Sequence, residues 1–126
     1  MELLRIGVIG LGARGGFARH FHRPEAGARL VAVCDLRPAA VAAAGPRLGF
    51  ASWPDPAVAR TTDPDDLLAA DLDAVVVLTP DDMHAALGER FLPAGIPVYL
   101  EKPMATTIED CDRLLLAAER SGTVLP

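Results

Sequence analysis

Residues 73–78 read DAVVVL, five apolar positions in a row behind one aspartate, three of them adjacent valines. Successive side chains of a strand point to opposite faces, so a run without a polar member has both faces to bury. This segment is expected in the interior of a sheet that carries a layer on each side.

The rest of the chain supplies those layers. Short apolar runs alternate with longer helical patterns, and each run is closed by glycine, aspartate or proline, which argues for a parallel sheet with crossover helices. Strands are expected at 3–9, 29–34, 73–78 and 97–100, with a short edge strand near 57–60. Helices are expected at 15–23, ended by Pro24, and from Pro38 through an alanine-rich stretch that Gly45-Pro46 interrupts or kinks. Further helices are expected from Asp63 or Pro64 to Ala70, from Asp81 to Pro93 with Gly95 as its C-terminal turn, and from Thr106. In the last of these Thr106 and Glu109 have capping-box spacing, and Ile108, Cys111, Leu115 and Ala118 form the apolar stripe before Gly122. The closing residues TVLP read as the opening of a sixth strand. The expected fold is therefore α/β, a Rossmann-type three-layer α/β/α with a mostly parallel sheet cut off in its sixth strand, and the chain is expected to be the N-terminal piece of a longer one.

At 126 residues the chain holds one domain. It is 51% hydrophobic but only 5% aromatic, so its core is built from Ala, Val, Leu and Ile. The net charge of −5, spread without a basic cluster, gives no footprint for nucleic acid or an anionic membrane. Apolar runs too short to span a bilayer and a start without a signal peptide's pattern make the cytoplasm the expected location. Cys34 and Cys111 have no metal-ligand spacing and read as buried thiols. Asp81-Asp82 reads as helix capping rather than a metal site, and no metal is expected.

The chemistry-bearing stretch is VIGLGARGG, in which Gly10, Gly12 and Gly15 follow a strand and precede a helix. Gly10 permits the tight turn, Gly12 lets backbone approach a diphosphate, and Gly15 allows close helix–strand packing. The turn's amides, Ala13 among them, then face the phosphates from a helix N-terminus. Arg14 either reaches a phosphate or is solvated. Asp35, twenty residues after Gly15 at the end of the second strand, is placed to accept hydrogen bonds from the adenosine ribose, and also fits a helix N-cap before Pro38. A carboxylate there repels a 2′-phosphate and favours NAD, while Arg37 keeps NADP open.

With GLGARG, CDLRP, TPDDMH and EKPMA in that order, the chain resembles, over essentially its whole length, the N-terminal domain of the glucose-fructose oxidoreductase, inositol dehydrogenase and rhizopine catabolism (Gfo/Idh/MocA) family. The resemblance implies an NAD(P)-dependent oxidoreductase acting on a sugar, polyol or related small molecule. It implies that Thr79 and Pro80 line the cofactor, that Glu101 contacts the nicotinamide ribose and that Lys102 touches the reacting hydroxyl or carbonyl. It implies a second domain that supplies most of the substrate pocket and the interface of a homo-oligomer; the chain alone is expected to turn over little or nothing.

Lys102 is the one lysine beside eleven arginines. A lysine can be tuned toward neutrality by its surroundings and presents a compact charge, whereas arginine stays charged and forked. Pro103 keeps Lys102 out of helical backbone space, and a cis Lys102-Pro103 bond is expected to fix the amine's direction. His84 reads as a structural hydrogen-bonding residue, His20 and His22 as surface residues and Trp53 as a loop anchor. The competing reading is a stand-alone dinucleotide-binding or interaction module without catalysis.

Overall fold

The computed structural model describes residues 3–12, 15–100 and 105–123, with the side chains of Gly15 and Asp81 left aside. Among the described residues five parallel strands make one sheet: β1 (Leu4–Ile9), β2 (Ala28–Cys34), β3 (Ala59–Thr61), β4 (Ala74–Val77) and β5 (Val98–Leu100), in the order β3-β2-β1-β4-β5. The chain winds outward from β1 to β3 and then returns to place β4 on the other side of β1. β1 is thus the middle strand, and the DAVVVL run sits beside it, paired on both edges.

Alternation along each strand divides the core between two faces. Val75 and Val77 join Ile9, Ala32, Cys34, Phe91, Leu92, Ile96 and Leu114 on one side. Val76 and Leu78 join Ile6, Val8, Leu11, Leu30, Val33, Val41 and Leu48 on the other. The first face is covered by α3 (His84–Phe91) and α4 (Ile108–Ser121), the second by a 3-10 segment (Gly15–Phe21), α1 (Pro38–Ala42) and α2 (Ala44–Leu48).

Several expected elements differ in detail. The segment after the glycine turn is a 3-10 helix that ends at Phe21, and Pro24 opens a second short one through Ala26 rather than closing the first. The alanine-rich helix divides at Ala43, three residues before Pro46. Proline lacks an N–H and its ring meets the carbonyl four residues back, here that of Ala42, so the first helix stops at that residue. The edge strand lies at Ala59–Thr61, slightly beyond its expected place. The Pro64–Ala69 segment is 3-10, capped by Asp63, whose side chain accepts from the Asp65 amide at 2.9 Å. The expected helix from Asp81 is a 3-10 turn leading into α3 and a further turn at Leu92–Ala94, ended by Gly95 at φ 80°.

The cap of α4 is Thr107, not Thr106; its hydroxyl accepts from the Asp110 amide at 3.1 Å. Its inward residue is Leu114, fully buried, whereas Ile108 is 77% and Leu115 53% exposed. Leu114 wins because it seats on Gly88 of α3, where any side chain would collide with it. The expected sixth strand lies outside the described residues.

Cys34 is buried within β2, and desolvation, with Asp35, Asp63 and Asp66 adding, pushes its thiol up to about 12. Cys111 is half-buried and also free. Trp53 anchors its loop: Nε1 donates to the Val41 carbonyl at 3.1 Å and the ring lies 5.2 Å from that of Phe50.

Candidate functional site: the crevice at the carboxyl ends of the strands

The reversal of winding between β1 and β4 leaves a crevice beyond their carboxyl ends, where open α/β sheets hold ligands. Three chain segments meet there. The Gly10 amide donates to the Cys34 carbonyl at 2.9 Å, and the Leu78 amide to the Ile9 carbonyl at 2.8 Å. Gly10 has φ +102°, and a Cβ on it would lie 2.6 Å from the carbonyl carbon of Leu78 and 2.8 Å from the Thr79 amide nitrogen. Only glycine meets both demands, the left-handed turn and the contact with the end of β4.

Asp35 closes the second side of the crevice. It is buried at 8% exposure, which a carboxylate tolerates only when its oxygens are satisfied. Oδ2 accepts from the Leu11 amide at 2.8 Å and Oδ1 from the Arg37 amide at 2.9 Å. The Arg37 guanidinium adds Nε at 3.1 Å from Oδ1 and Nη2 at 3.4 Å from Oδ2. Burial by itself pushes the Asp35 carboxyl up, but the Arg37 side chain and the two amides outweigh it and hold it below the usual carboxylate range. The two amides lock the carboxylate in place, while the guanidinium, on a side chain 66% exposed, is the partner that an incoming hydroxyl can replace. Asp35 is therefore both the tie between the glycine turn and β2 and an anionic acceptor at the crevice.

Thr79 and Pro80 form the opposite wall. The Thr79 hydroxyl is buried without a hydrogen-bond partner among the described residues, and its carbonyl lies 3.0 Å from His84 Nε2. His84, expected as a hydrogen-bonding residue, is fully buried and makes that contact from inside the core. Pro80 is exposed on the rim, and its carbonyl accepts from the Met83 amide at 3.0 Å.

Of the remaining expected site residues, Gly12 lies in the turn with the Arg37 Nη2 2.9 Å from the place a Cβ would take. Gly15 begins the 3-10 segment. Ala13, Arg14, Glu101 and Lys102, and with them the Lys102-Pro103 bond, lie outside the described residues. β5, whose Leu100 pairs with Val77, ends on the same edge of the sheet immediately before Glu101.

Sequence reading missed two residues near this region. Arg47 reaches from α2 to the carbonyls of Leu11 and Gly12, at 2.9 and 2.5 Å. Nothing in an alanine-rich helix distinguishes that arginine from ten others. His22, expected at the surface, is half-buried: its Nδ1 accepts from the Leu30 amide at 3.1 Å and its ring lies 4.6 Å from that of Phe50. Among the described residues no three His, Cys, Asp or Glu gather as metal ligands, and no helix is long and apolar enough to cross a membrane.

A parallel sheet ordered 3-2-1-4-5, a glycine turn after β1 and an acid at the end of β2 define a dinucleotide-binding Rossmann domain.

The chain belongs to the oxidoreductase family with an NAD-binding Rossmann fold (GFO_IDH_MocA), whose family model matches residues 4–126. It is 42% identical over 118 residues to inositol 2-dehydrogenase 1 of Saccharopolyspora erythraea, covering 89% of this chain and 32% of that protein. It is 34% identical over 125 residues to glycosyl hydrolase family 109 protein 1 of Shewanella sp. (strain ANA-3), covering 96% and 27%. The structure of the WlbA dehydrogenase of Chromobacterium violaceum in complex with NADH and UDP-GlcNAcA superposes with a TM-score of 0.85 at 31% identity, over 99% of this chain and 34% of that one. The chain thus spans about a quarter to a third of the length of these relatives.

Proposed function

We propose that this chain is the cofactor-holding part of an oxidoreductase that moves a hydride between a nicotinamide ring and a sugar, polyol or related hydroxy compound. The observation that carries the reading is the meeting of Gly10, Asp35 and Thr79 at one crevice, each just beyond the end of a different strand. In this reading the turn at Gly10, Gly12, Ala13, Arg14 and Gly15 receives the diphosphate, and Asp35 accepts from the adenosine ribose once Arg37 has swung aside. Thr79 and Pro80 line the nicotinamide end with Glu101, and Lys102 acts as the catalytic residue at the reacting hydroxyl or carbonyl, moving its proton. Bound NAD would supply the hydride acceptor.

The compounds named with the similar proteins, an inositol in one name and a bound nucleotide sugar in one complex, support a polyhydroxylated small molecule as the substrate class. The 126-residue chain by itself is expected to bind nucleotide and not to turn over. NADH is preferred, because the Asp35 carboxylate opposes a 2′-phosphate, against which the exposed Arg37 is the nearby cation.

The test is a fluorescence titration of the chain with NADH and NADPH. Saturable binding of both, tighter for NADH by about tenfold, is the expected result. Absence of saturable binding for either nucleotide would remove the reading.

A further inference from the structure

We infer that Arg47 is a positioning residue for the diphosphate of the dinucleotide, an assignment that rests on the cofactor reading above. Its guanidinium grips the glycine turn from α2, Nη1 donating to the Leu11 carbonyl at 2.9 Å and Nη2 to the Gly12 carbonyl at 2.5 Å. One rigid fork therefore holds two successive carbonyls of the segment that carries the phosphate-facing amides.

The orientation follows from peptide planarity. In a trans peptide the carbonyl and the following N–H point in opposite directions, so drawing the Leu11 oxygen toward Arg47 turns the Gly12 N–H away from it. Carbonyl oxygens left to rotate into the crevice would repel a diphosphate. Arg47 keeps these two to itself and sets a full positive charge against their partial negative ones.

The platform beneath Arg47 is firm. Ala44 and Leu48 of α2 are buried, at 2% each, in the same core cluster as Leu11. Two arginines among the described residues then divide the ligand. Arg37 pairs exchangeably with Asp35, at the ribose end, whereas Arg47 holds the turn, at the phosphate end. Lysine does not replace Arg47 in this role, because a point charge on a flexible stem lacks the paired donors of the fork.

The experiment titrates the wild-type chain, Arg47→Met and Arg47→Lys with ADP-ribose and with adenosine, which lacks phosphates, following binding by NMR chemical shifts. Arg47→Met is expected to weaken ADP-ribose about tenfold while leaving adenosine within about twofold, and Arg47→Lys to recover only part of the loss. Circular dichroism checks the folding of each variant; should the Met variant not fold, weaker ADP-ribose binding by Arg47→Lys carries the test. Unchanged ADP-ribose affinity, an equal loss for adenosine, or full recovery with lysine overturns the inference alone. A wild-type chain that ignores ADP-ribose overturns the cofactor reading and this assignment together.

Discussion

A ring nitrogen that accepts a backbone hydrogen bond cannot also carry a proton. His22 is in that position, with Nδ1 receiving the amide of the fully buried Leu30. Burial and then the charge of Arg29 lower its pKa from the usual value near 6.5, outweighing Asp55 and Glu25, which raise it. The neutral ring is therefore favoured by folding, and the unfolded chain binds more protons at mildly acidic pH. The resulting stability is fully present above pH 6.5 and is lost as pH falls below that value through the folded pKa. Urea unfolding at pH 7.5 and pH 5 should show this loss in the wild type. The difference should shrink in His22→Gln, and identical pH dependence in the two proteins would show that the ring does not titrate with folding. Asp35 illustrates the opposite way of burying a titratable group, since its partners stabilise the charged form rather than the neutral one. Its place beside the glycine turn was legible because strand end, spacing from the glycines and residue type coincide. Those of His22 and Arg47 were not, because each is defined by a partner distant in sequence.

Among the elements, α4 shows how packing corrects periodicity. A stripe at Ile108, Cys111, Leu115 and Ala118 and one through Cys111, Leu114 and Ala118 differ by a small rotation of the same helix. The choice falls to α3, where Gly88 leaves a recess that Leu114 fills. Arg113 supports the same rotation, with Nη2 donating to Glu89 Oε2 at 2.9 Å and Nε 2.7 Å from Oε1. Leu114→Ala is therefore expected to cost about 3 kcal/mol of unfolding free energy. Leu115→Ala should stay within about 0.5 kcal/mol. Equal costs in chemical denaturation would mean that the helix presents its outer stripe to the sheet. The interior strand at 73–78 needed no such correction, since a strand buried on both faces declares itself in composition whatever its neighbours are.

For the molecule as a whole, the consequence of that rotation is an apolar strip on the outside. Ile108, Leu115 and Leu116 are 77, 53 and 42% exposed, and their spacing puts them along one face of α4. Water-facing leucine and isoleucine in a row favour contact with another surface. We expect the 126-residue chain to self-associate through this strip. Its elution in size-exclusion chromatography should shift with concentration, and Leu115→Glu should hold it at the monomer position. A wild-type profile that stays monomeric at high concentration counts against the strip as a contact.

The amino-acid order alone determined the α/β class, the interior strand, the glycine turn and the acid that faces it, because each of these depends on local periodicity or on a short fixed spacing. The fold decided which strand stands in the middle, where the alanine-rich helix divides, which face of α4 turns inward and which arginine holds the turn. Those outcomes are set by contacts between segments tens of residues apart, where the winning side chain is the one for which a distant neighbour has left space or a free carbonyl.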